Sequence, residues 1–95
     1  MTWTKNEIVE ELMERTGLQR NEVVVIVEGV IEIIKEALIR GDRVEIRGFG
    51  VFENKKRKRK KARNPRTGEE VIIPERMVPV FKPSRKLREA VEKGG

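Results

Sequence analysis

The chain is predicted to be α+β, with two N-terminal helices, a small antiparallel sheet from which a β-ribbon arm protrudes, and a short last helix. Three observations carry this. Apolar residues recur at helical spacing as far as residue 40, punctuated by Gly17 and Gly41. From Val44 the alternation changes to a period of two. Between Lys55 and Lys61, seven successive positions are Lys or Arg, bracketed by strand signals, so neither face of that stretch can pack on a core.

Thr4 followed by Glu7 forms a capping box that starts the first helix, and Trp3 before it is placed to pack on Ile8 as a hydrophobic staple. Ile8, Val9, Leu12 and Met13 mark its inner face, and Gly17 ends it. A second helix is expected from Arg20 to Arg40, where Val23, Val24, Ile26, Val27, Val30, Ile31, Ile33, Ile34, Ala37 and Leu38 fill about half the circumference. That stripe is too wide for one neighbour. With the basic segment in solvent, 95 residues cannot supply a core to cover it, and oligomerisation is the remedy for so small a chain.

Gly41-Asp42 turns the chain into a strand with Val44 and Ile46 on its inner side. Gly48-Phe49-Gly50 makes a tight corner, and Val51-Phe52 opens the next strand. Asn64-Pro65-Arg66-Thr67-Gly68 has the residues a turn requires, after which Val71, Ile72 and Ile73 resume extended structure. Pro74 and Pro79 cannot donate ladder hydrogen bonds and suit an edge. Pro83-Ser84 opens a last helix with Leu87 and Val91 expected to face inward, and Gly94-Gly95 are expected to fray. Phe49, Phe52 and Phe81 sit at strand junctions beside apolar neighbours, as core residues do. The residues from Glu53 to Asn64 would span about 35 Å as a strand, longer than a duplex is wide. Two such arms on a dimer embrace DNA from opposite sides.

Charge is concentrated on that arm. The chain nets +6, but residues 53–68 alone hold nine Lys or Arg against one acid. A focus of this kind points to a polyanion met at one place. The absence of Cys and His excludes thiol chemistry, Cys-ligated zinc and the usual general base. The helical Glu residues lie on solvated faces among Lys and Arg, which does not suit paired-carboxylate catalysis. No enzyme activity, cofactor, metal or small-molecule substrate is expected. Neither a signal peptide nor a membrane span is read from the sequence. A soluble intracellular protein with a polyanionic partner and no membrane is therefore expected. An RNA-binding or ribosome-associated module is the alternative, although the arm has none of the aromatic residues that RNA recognition usually stacks on bases.

Gly48-Phe49-Gly50, the tip Arg63-Asn64-Pro65-Arg66-Thr67-Gly68, and Phe81-Lys82-Pro83-Ser84-Arg85-Lys86-Leu87, in this order and at these intervals, resemble the HU and integration host factor family of bacterial histone-like proteins. The resemblance spans nearly the whole chain. It implies a single domain over 1–95: a helical dimerisation part (1–41), a sheet body (42–52 and 77–83), the β-arm (53–76) and a C-terminal helix (84–95). It further implies that two chains, identical or paralogous, intertwine, that their arms enter the minor groove to bend and compact double-stranded DNA, and that the protein is cytoplasmic and nucleoid-bound. Carried over by position, Pro65 resembles the residue that intercalates between base pairs. Arg57, Lys58, Lys60, Arg63, Asn64, Arg66, Ile73 and Arg76 fall at the arm's DNA-binding positions. Lys5, Arg47, Gly48, Lys82, Ser84, Arg85 and Lys86 fall where the body clamps phosphates. The chain departs from the family in its unbroken Lys/Arg run, in Ala62 where a glycine commonly precedes the tip, in Ser84 for a frequent glycine, and in Gln19 at the cap of the second helix.

Overall fold

In the computed structural model, which describes residues 1–94, local capping chemistry draws the helix boundaries; Gly95 lies outside the described residues. The first helix, α1, runs Lys5–Thr16. Both halves of the Thr4/Glu7 capping box form, with the Thr4 N–H donating to Glu7 Oε2 at 2.9 Å. Gly17 takes φ 75°, the left-handed geometry that ends a helix without steric cost, and its N–H donates to the Met13 carbonyl. The second helix, α2 (Arg20–Ile39), begins behind Gln19, a poor cap. Glu22 compensates by accepting from the Gln19 N–H at 3.1 Å, which supplies one half of a capping box.

The chain divides into two compact units, Met1–Glu36 and Ala37–Gly95. In the first, α1 and most of α2 bury Val9 and Val23. Val25, Ile26, Val30, Ile31 and Ile33 on α2 remain 45% to 70% exposed. In the second, Ala37 is the buried apolar residue. Three buried apolar side chains among the described residues cannot hold a chain of this length together.

The second unit is built on strands β1 (Val44–Ile46), β2 (Gly50–Arg57), β3 (Lys60–Arg63), β4 (Glu70–Ile73) and β5 (Arg76–Pro83), followed by helix α3 (Arg85–Glu92). They form a three-stranded antiparallel sheet in the order β1-β2-β5 and a two-stranded ribbon, β3-β4. Pro79 lies on β5, an edge strand, as its missing donor requires. The β2-β5 ladder runs on to Arg57↔Arg76, beyond the limits at which the apolar pattern places the body.

Register carries from sheet to ribbon without a slip. The first ladder closes at Arg57↔Arg76 and the second opens at Lys60↔Ile73. Two residues on each strand, Lys58-Arg59 and Pro74-Glu75, lie unpaired between them. Pro74 has no N–H to donate, which accounts for the ladder stopping there.

Phe49, Phe52 and Phe81 cluster, with ring centroids 4.8 to 6.3 Å apart. Phe49 and Phe81 nevertheless stay 44% and 38% exposed, so one chain covers them incompletely. Val91, expected to face inward, is 69% exposed. Leu87 is half-buried, and these two residues with Pro83 line an open apolar groove that nothing in a single chain fills.

Candidate nucleic-acid interface

At the ribbon's end, Asn64 organises the turn through three hydrogen bonds. Its N–H donates to the Glu69 carbonyl at 2.9 Å, its own carbonyl accepts from the Gly68 N–H at 2.8 Å, and its Oδ1 accepts from the Arg66 N–H at 2.9 Å. The last is an Asx turn. Gly68 takes φ 74°, open to glycine at no cost. Arg63 Nη1 donates to the Gly68 carbonyl at 3.0 Å, and the Glu69 N–H donates to Thr67 Oγ1 at 3.2 Å. These bonds tie down the turn in which Pro65 lies exposed. An exposed apolar ring on a tied-down turn can part stacked bases.

Along the strands, Arg57, Lys58, Lys60 and Arg76 are exposed. Arg57 and Arg76 are direct cross-strand partners. Like charges so placed repel and favour a polyanion that neutralises both. Lys56 and Lys61, which lie outside the contact set expected from the sequence, are held by Glu75 at 3.3 Å and Glu70 at 3.4 Å. Ile73 is half-buried.

On the body, the backbone turns at Ile46–Phe49. The Phe49 N–H donates to the Ile46 carbonyl at 3.0 Å, and Gly48 takes φ 81°, as the third residue of a type II turn must. Ser84 ties this turn to α3. Its Oγ donates to the Gly48 carbonyl at 3.0 Å and accepts from the Leu87 N–H at 3.2 Å, while its N–H donates to the Phe49 carbonyl at 2.8 Å. Where the family often has glycine, this serine thus caps the helix and locks the corner together. Gly48, Ser84, Arg85 and Lys86 are brought to one place, with Arg47 in the same turn. Sequence reasoning did not reveal the bond from Ser84 to Gly48, because it joins residues 36 positions apart.

Three of the expected phosphate-binding side chains already hold carboxylates. Lys82 meets Glu53 at 3.3 Å, Arg85 meets Glu89 at 2.9 Å, and Lys5, in the first unit, meets Glu28 at 2.7 Å. Phosphate binding at these points would exchange one anion for another. Glu53 is the least exposed of the three acids, so its ion pair is the least screened by solvent. Among the described residues there is no group of acids able to hold a metal ion, and no helix long and apolar enough to cross a membrane.

A family model described as bacterial DNA-binding protein matches residues 3–92. The chain is 43% identical over 88 residues to DNA-binding protein HU of Geobacillus stearothermophilus, covering 93% of this chain and 98% of that one. It is 45% identical over 93 residues to integration host factor subunit alpha of Mannheimia succiniciproducens, covering 98% and 95%. Among solved structures, an Anabaena HU–DNA cocrystal structure superposes with a TM-score of 0.88 at 35% identity, covering 94% of this chain and 97% of that one.

Proposed function

Since the chain belongs to the bacterial DNA-binding protein family, we propose that it is an architectural protein that bends and compacts double-stranded DNA by laying two β-arms in the minor groove. It is a DNA-binding protein and not an enzyme. The observation that carries the reading is the unslipped hairpin from Gly50 to Pro83, whose outgoing strand is cationic from Lys55 to Arg63 and which closes in a hydrogen-bonded turn that exposes Pro65. Lys58, Lys60, Arg63, Asn64 and Arg66 deliver charge and hydrogen-bond donors to the groove, and Pro65 wedges a base step. The cost is a few kcal/mol of unstacking, offset by contacts between the bent flanks and the body. On that body, Lys5, Arg47, Lys82, Arg85 and Lys86 meet phosphates, with Gly48 and Ser84 shaping the corner that receives them.

The working unit is a pair of subunits, a homodimer or a heterodimer with a paralogue. The apolar residues left open on α2 and around Phe49 and Phe81 support this, because only a second chain supplies enough surface to cover them. Minor-groove edges distinguish sequences poorly, so preference falls on flexible, nicked or prebent DNA. The nucleoid, within the cytoplasm, is the location this function implies. The RNA-binding alternative gains no support, since no aromatic residue lies between Glu53 and Arg76.

The test is duplex affinity measured across salt concentrations together with energy transfer between end labels. Steeply salt-dependent binding and a shortened end-to-end distance are expected. Binding that leaves the duplex straight refutes the reading.

A further inference from the structure

Antiparallel register sorts the ribbon's side chains onto two faces, because directly opposed residues share a face and successive ones alternate. Lys58, Lys60, Ala62, Val71, Ile73 and Met77 fall on one face. Lys55, Arg57, Arg59, Lys61, Arg63 and Arg76 fall on the other, together with Glu70, Ile72 and Pro74. The sorting persists through the unpaired stretch, where each strand contributes the same number of residues. Two ion pairs agree with it, since Lys56 reaches Glu75 on the first face and Lys61 reaches Glu70 on the second. The faces differ in degree: the first sets three lysines among four apolar side chains, whereas the second gathers six cations, every arginine of the ribbon strands among them, beside Ile72 and Pro74.

A minor groove about 6 Å wide admits one side of a ribbon whose strands lie about 4.8 Å apart. Apolar contact and wedging favour the side with the larger apolar share, which carries Ala62, Val71, Ile73 and Met77. From the opposite side, Arg57, Arg63 and Arg76 are long enough to curl round the ribbon's edges toward flanking phosphates. Lys55 and Arg59 have no such place in the reading above; both are exposed, and neither holds a carboxylate among the described residues. On the outward face they stand about 10 Å from the groove floor, roughly one screening length in 0.1 M salt. A duplex already bound in the groove therefore neutralises them poorly.

We propose that this outward face, centred on Lys55 and Arg59, is a second DNA-binding surface that takes the phosphate backbone of another duplex segment, so that one ribbon bridges two duplexes. The proposal rests on the DNA-binding reading and extends it from bending to cross-linking. Charge complementarity selects the occupant, a rod of closely spaced phosphates meeting a row of cations with the same extended form.

The experiment uses the full dimer, one duplex fixed to beads and a second, labelled duplex in solution. Capture of the labelled duplex is compared for the parent and the Lys55→Gln/Arg59→Gln variant, alongside affinity and bend for a single duplex in solution. Capture is expected to fall at least about tenfold, while single-duplex affinity changes less than about threefold and the bend is unchanged. Three outcomes overturn the proposal: undiminished capture by the variant, a fall in single-duplex affinity that matches the fall in capture, or a parent that binds one duplex but captures no other. A parent that binds no duplex at all refutes the functional reading, and this proposal with it.

Discussion

Two residues show how much rests on single side chains. Pro65 contributes shape and Asn64 fixes where that shape points, so the two roles separate on substitution. Pro65→Ala is expected to abolish most of the bend, read by energy transfer, while keeping much of the salt-dependent affinity, since no charge is removed. An unchanged bend angle would place the wedge elsewhere. Gly50 is constrained for a different reason. A Cβ there would lie 2.5 Å from the Lys82 carbonyl oxygen and 2.6 Å from the Phe81 ring, closer than real contacts allow. The backbone partner cannot swing away, so Gly50→Ala should cost roughly 1–3 kcal/mol and lower the melting temperature. The Asn64–Gly68 turn and the Thr4/Glu7 box were legible from the sequence because their bonds join near neighbours. Lys82 with Glu53 and Lys5 with Glu28 were not, because their partners meet only once the chain has folded.

At the level of elements, the proposed function makes the ribbon a charged rod whose cations act largely independently of the sequence they touch. The Lys58→Glu/Lys60→Glu variant is expected to weaken binding to all duplexes alike and to lower the slope of log affinity against log salt by about two for each arm that carries it. A loss confined to particular sequences, seen in competition assays, would instead indicate base readout. A paired ribbon over 53–76 was legible from its turn and strand signals, but that the body strands β2 and β5 themselves run on into it as far as Arg57↔Arg76 was not, because apolar alternation ends near Phe52 while backbone pairing needs no apolar side chain. For α3 the amphipathic pattern was read correctly, but burial was not. Leu87 and Val91 share a face, yet Val91 is left in solvent because a single chain has nothing to lay on it. In α2 the same limit worked in favour of the reading. A stripe too wide for one neighbour proved to be surface that one chain leaves open.

For the whole molecule, stability depends on association. With so few buried apolar residues per chain, folding and pairing should occur together, and the melting temperature should rise with protein concentration. Val30→Asp, on the open side of α2, should unfold the protein at concentrations where the parent melts cooperatively, as followed by circular dichroism. A concentration-independent transition would mean that each chain stands alone. The unslipped register between sheet and ribbon has a further consequence, for how such an arm can change length. One residue added to each strand beyond Arg57 and before Arg76 preserves pairing but inverts every side chain from there to the tip. Two added to each restore the orientation and carry Pro65 outward by about 6.6 Å, close to two base steps. Arm length is therefore quantised, and under the proposed function the spacing of kinks along the DNA would evolve only in strides of that size.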